Sequence, residues 1–119
     1  MNGTIKSPDF DDMLEVAEKI RELTFEKLSL ESVMKEAESS VVLEVTGNPT
    51  YYKDGKIPAM NFIDSTYKVT GLNGEISAIR KQLAETISNL DYQKRKFEIL
   101  TGMLNAWQTE SANLRAATI

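Results

Sequence analysis

Two short stretches of this sequence hold the residues best suited to chemistry. The first is YYKDGKIP, Tyr51 to Pro58, with two tyrosines, two lysines, an Asp-Gly pair and a proline in eight residues. Tyr51 and Tyr52 could stack on bases while Lys53 and Lys56 neutralise phosphates, the combination that single-strand binders use. The second is Lys94-Arg95-Lys96, the only basic cluster, which could meet phosphates as well. Each has a plainer reading that the sequence favours. In the first, the tyrosines close the end of a helical bundle, Asp54-Gly55 shapes a turn, and the lysines keep its tip soluble. In the second, three consecutive cations on a helix point in different directions, and Lys94 falls on an apolar stripe, either as a register-setting polar residue or as a lysine snorkelling outward.

Other chemistries are excluded by residue type. The chain has neither cysteine nor histidine, which removes disulfides, thiolate nucleophiles, imidazole bases and Cys/His zinc sites. Carboxylates alone could hold Mg²⁺ or Ca²⁺ only if several converged, and here they read as spread along helix surfaces. Walker, EF-hand and GxGxxG spacings are missing. The expectation is therefore a protein that is not an enzyme and needs no cofactor or metal.

The elements that must position these residues are long helices. Ser7-Pro8-Asp9 reads as a helix start, with the Ser7 hydroxyl as cap, Pro8 in the first turn, and Asp9, Asp11, Asp12 and Glu15 favoured by the helix dipole. Apolar residues then recur at three-four spacing through Met13, Val16, Ile20, Leu23, Leu30, Met34, Ala37, Val41 and Val45, interrupted by Lys27. A second, partial row through Phe10, Leu14, Ala17, Thr24 and Leu28 widens this face. Gly47-Asn48-Pro49 should end the helix through a left-handed cap. The spacing predicts a helix over about 8–46, a connector over 47–57, and a second helix over about 58–110 with a kink or break at Gly71 to Gly74. The second stripe runs through Ile76, Ile79, Leu83, Ile87, Leu90, Lys94, Phe97, Leu100, Leu104 and Trp107, and fraying is expected after Trp107. A composition of 41% hydrophobic and 27% charged residues suits one ordered all-α domain, a long antiparallel helical hairpin or coiled coil. Met13, Met34, Met60 and Met103 read as gap fillers in a helical core.

Residues 1–46 hold five basic against eleven acidic side chains, and residues 47–119 nine against seven. The acidic first helix opposes tight duplex binding. Its row Asp9, Asp11, Asp12, Glu15, Glu18, Glu22 and Glu26 could instead occupy a basic groove on a nucleic-acid enzyme, although an ordinary solvated face is the simpler account.

Two helices alone shield a core poorly, so we expect association into a helical bundle as a homo-oligomer. Its interface, or a partner's, would be formed by Met13, Val16, Ile20, Leu23, Leu30, Met34, Ile76, Ile79, Leu83, Leu90, Phe97, Leu100, Leu104 and Trp107. An unbroken second helix would leave Phe97, Ile99, Leu100, Met103, Leu104 and Trp107 projecting as a partner site. A break at Gly71 to Gly74 would return Trp107 to a core. No apolar run approaches the roughly 18 residues of a membrane span, and Met1 to Pro8 lacks the pattern of a secretory signal. The expected location is the cytoplasm, or a host's cytoplasm if the protein is viral.

The layout, with VVLEVTGNP closing the first helix, the connector YYKDGKIPA, the second helix reading GLNGEISAIRKQLAE, and KRKFEILTGML beyond, resembles small helical-hairpin proteins of bacteriophages and prophages. The likeness covers roughly residues 10 to 107 and is one of pattern. It implies an accessory protein without settled activity that oligomerises and acts by protein–protein contact. Single-strand nucleic-acid binding in replication or recombination, and inhibition of a host nucleic-acid or defence enzyme, are the alternatives.

Overall fold

A computed structural model describes residues 7–117 of the chain. Residues 1–6, most of the stretch read for a secretory signal, and residues 118–119 lie outside the described residues. The fold is an all-α helical hairpin of two long helices, α1 (Phe10–Gly47) and α3 (Glu75–Ala117). Between them come a 3₁₀ turn (Pro49–Tyr51) and a short helical segment, α2, over 60–70. The chain forms two compact units, one of residues 1–24 and 88–119, the other of Phe25–Ile87.

The α1 start lies slightly later than the sequence suggests. Asp9, not Ser7, is the cap: its Oδ1 accepts from the Asp11 N–H at 2.8 Å, and the first helical bond runs from the Met13 N–H to the Asp9 carbonyl. The Ser7 hydroxyl donates to the Pro8 carbonyl instead, so Pro8 precedes the helix. A carboxylate is the stronger acceptor at this end of the helix dipole. The far end stops without a left-handed residue. Asn48 turns to extended backbone at φ −116°, and Pro49 cannot continue the ladder.

In the Phe25–Ile87 unit, Val41 and Val45 of α1, Ile63 of α2 and Ile76 of α3 form the buried core, with Ala37, Val42, Tyr51, Tyr67 and Leu72 packed around it. Further along the same pair the Thr86 hydroxyl donates to the Glu26 carboxylate at 3.0 Å. Low α1 numbers thus meet high α3 numbers, and the helices run antiparallel. In the other unit the first turns of α1 join the second part of α3, with Val16 and Leu90 buried.

The break between α2 and α3 falls where the glycines stand. Gly71 has φ +83° and Gly74 φ +76°, a region closed to ordinary side chains. α2 itself contains a π-helical stretch, Ile63–Tyr67, which places Ile63 in the core. α3 then runs unfrayed to Ala117, ten residues beyond Trp107.

The register of α3 also departs from the expected stripe. Its inward positions are Ile76, Ile79, Leu83, Thr86, Leu90, Gln93, Phe97, Leu100, Leu104 and Trp107, whereas Lys94 is exposed. Strict three-four spacing puts Thr86 and Gln93, rather than Ile87 and Lys94, at the seam. Ile87 is half-buried at its edge. On α1, Lys27 does hold an inward position, half-buried with Nζ 3.9 Å from Glu31 Oε1.

Candidate functional site

The connector is built more tightly than a solvated tip. Asp54 and Gly55 have φ +53° and +73°, the pattern of a two-residue hairpin turn, and the Lys53 and Lys56 backbones exchange hydrogen bonds of 2.9 Å across it. Its aromatic rings are engaged with the protein. Tyr51 packs on the core and meets Tyr67 edge-on at 5.7 Å. The Tyr52 hydroxyl donates to the Thr46 carbonyl at 2.8 Å, which satisfies an acceptor left over at the end of α1. Lys53 Nζ lies 3.4 Å from the centre of the Phe62 ring, a cation–π contact. Of the residues suggested for nucleic-acid contact in this loop, Lys53 and Lys56 are exposed, Lys53 lying over the Phe62 ring, and Tyr51 and Tyr52 are half-buried.

The second suggested cluster is solvent-facing: Lys94, Arg95 and Lys96 are all exposed. The acidic row of α1 is partly spent on local partners. Asp9 caps the helix, Glu15 lies 3.2 Å from Lys19, and Glu26 accepts from Thr86. Arg21 hydrogen-bonds Glu18 and holds its carboxyl below the usual carboxylate range. Among the described residues no group of three acidic side chains is placed to hold a metal ion.

The residues suggested for an interface all face inward. Val16, Ile76 and Leu90 are buried, and Met13, Ile20, Leu23, Leu30, Met34, Ile79, Leu83, Phe97, Leu100, Leu104 and Trp107 are half-buried. They form the seam of the chain's own helices. With α3 beginning only at Glu75, Phe97, Leu100, Leu104 and Trp107 are not left as a projecting exposed patch; of that group only Ile99 and Met103 are exposed.

A different apolar surface is open to solvent, and sequence reasoning saw only part of it. On α1, Phe10, Leu14, Phe25 and Leu28 are 56%, 69%, 72% and 59% exposed. At about 100° per residue each pair, Phe10 with Leu14 in one unit and Phe25 with Leu28 in the other, lies roughly 120° round the helix from the seam beside it. The second row expected from the sequence is therefore a separate outward stripe, not a widening of the seam, and Phe25 belongs to it. Thr24 does not: it is half-buried and its hydroxyl donates to the Ile20 carbonyl. On α3, Tyr92, Ile99 and Met103 form a second outward stripe, with Tyr92 and Ile99 each 64% exposed. The i, i+4, i+7 recurrence was the available signal in both places.

Compared with protein-family profiles, with curated proteins and with solved structures, the chain matches none. No helix among the described residues is long and apolar enough to cross a membrane. The class is thus given by the fold alone, an all-α helical hairpin.

Proposed function

We propose that this chain is a non-enzymatic accessory protein of the phage type that associates with copies of itself and works by holding another protein. One observation carries the reading. Among the described residues six hydrophobic side chains are buried while twelve large ones are exposed, and several of the twelve are aligned on single helix faces instead of scattered. Aligned apolar exposure marks contact surfaces. Most seam residues are only half-buried, as two helices cannot close a core from every side. A helical bundle assembled from several hairpins supplies the missing cover.

The connector geometry lends less support to a nucleic-acid reading, because a stacking platform requires free ring faces and the Tyr51 ring is packed on the core and against Tyr67.

Size-exclusion chromatography with light scattering tests the proposal. The expected mass is a multiple of 13.4 kDa, reduced by Phe25→Ser with Leu28→Ser while the circular-dichroism signal stays helical. A particle of single-chain mass at every concentration, with the paired variant behaving identically, would remove the reading.

A further inference from the structure

The turn joining α2 to α3 reads Leu72-Asn73-Gly74-Glu75, and it holds chemistry that protein–protein contact does not use. An asparagine side chain is attacked at Cγ by the backbone nitrogen of the next residue when that nitrogen is unencumbered and the chain between them can bend. Both conditions are met here. Asn73 and Gly74 lie outside the helices and are exposed. Gly74 has φ +76°, a conformation that glycine takes without steric cost, and nothing lies within 4 Å of the place a Cβ would occupy. The hydrogen bonds of this turn pass over the Gly74 N–H. The Glu75 carboxylate accepts from Leu72 and Asn73, and Gly74 takes part through its carbonyl, which accepts from the Ala78 N–H.

The other described asparagines lack such a nucleophile. Asn48 precedes Pro49, which has no N–H. Asn61 precedes Phe62, whose N–H donates to the Ala59 carbonyl at 3.0 Å. Asn89, Asn105 and Asn113 lie inside α3, where the following N–H groups belong to the helix ladder.

We propose that Asn73-Gly74 is a site of spontaneous covalent modification, at which water converts the asparagine amide to a carboxylic acid through a cyclic imide. The Gly74 nitrogen gives up its proton and bonds to Asn73 Cγ; the Cγ–Nδ2 bond breaks, and the side-chain nitrogen leaves with that proton as ammonia. Water then opens the ring. Addition at Cγ breaks the new bond and leaves aspartate. Addition at the backbone carbonyl carbon of residue 73 breaks the original peptide bond and leaves isoaspartate, with the chain now running through the side-chain carbons. Nothing is oxidised or reduced. The placement gives the reaction a structural consequence, because isoaspartate inserts an extra methylene between the Leu72 and Asn73 N–H groups and the Glu75 carboxylate that holds them. Ile76, next along the chain, is fully buried against Val41, Val45 and Ile63. Modification therefore releases the start of α3 and loosens the core of the Phe25–Ile87 unit.

To test this, the full chain is held at mildly alkaline pH, native and in urea, then digested with trypsin, which isolates Asn73 in the peptide of residues 69–80. Mass spectrometry counts the change from amide to acid, and an isoaspartyl methyltransferase labels isoaspartate. For Asn73 the native rate should match the rate in urea, whereas for Asn89 and Asn105 it should be lower by about tenfold or more, since the helix must open first. The urea midpoint of the aged chain should fall as isoaspartate accumulates. That of an identically aged Asn73→Gln chain should hold, because the longer side chain closes the ring poorly. An Asn73 that stays an amide in the native chain while converting in urea would overturn the site. Isoaspartate at residue 73 with an unchanged midpoint would overturn its effect on α3.

Discussion

Glu75 shows how much one side chain can organise. It is the first residue of α3, and its carboxylate turns back to accept from the backbone N–H groups of Leu72 at 3.1 Å and Asn73 at 2.7 Å. Hydrogen bonds from backbone N–H groups, first its own and then those of Asn73 and Leu72, hold its pKa below the ordinary carboxylate value. The sign follows from linkage. A carboxyl whose folded-state value is depressed contributes stability that is present above its unfolded value and disappears as pH falls through the folded one. We expect Glu75→Gln to lower the melting temperature at neutral pH and to flatten its acid dependence, read by circular dichroism between neutral and acid pH. Gly71 must leave room for the same carboxylate, which a Cβ there would strike. With φ +83° and ψ 174°, Gly71→Ala should cost about 1–3 kcal/mol in chemical denaturation. Gln93 gives the opposite prediction. A buried oxygen of its side chain has no hydrogen-bond partner among the described residues, so Gln93→Leu should stabilise by about 1–3 kcal/mol, the cost of leaving such a group unpaired.

At the scale of the elements, the core of the Phe25–Ile87 unit depends on three helices meeting at one point. Ile76 is fully buried against Val41, Val45 and Ile63. Ile76→Ala should therefore cost about 2–5 kcal/mol, whereas Ile99→Ala, removing an exposed side chain, should leave monomer stability within about 0.5 kcal/mol. Urea titrations of both variants check this. The long helices were legible in the sequence because apolar periodicity and helix-ending residues agree along each of them. The register of α3 was harder to read. Ile87 and Thr86 are neighbours, and an apolar residue attracts the pattern even when a threonine with a Glu26 partner holds the inward position. The connector was missed as a hairpin although Asp54-Gly55 is a strong signal for one, since its flanking residues do not alternate like strands. The π-helical stretch has no local signature; it follows from packing Ile63 and Tyr67 into a core made by distant residues. The outward stripe was seen through Phe10, Leu14 and Leu28 but assigned to the seam, because periodicity gives the angle between rows and not which of them finds a partner.

For the molecule as a whole, the balance between buried and exposed apolar surface governs behaviour. Association that buries the outward stripes should raise thermal stability with protein concentration, since a partner that binds only the folded state shifts unfolding by mass action. A melting temperature independent of concentration over a hundredfold dilution would argue against it. The distribution of aromatic residues supplies a way to watch each part separately. The single tryptophan, Trp107, belongs to the unit of residues 1–24 and 88–119, while Tyr51, Tyr52 and Tyr67 belong to the Phe25–Ile87 unit. Emission excited at the red edge, where indole alone absorbs, therefore reports on one region, and far-ultraviolet ellipticity reports on every helical turn. If the two signals lose their native values at the same denaturant concentration, the chain melts as one cooperative body; if indole emission changes first, the region around Trp107 is the weaker part and opens while the rest holds.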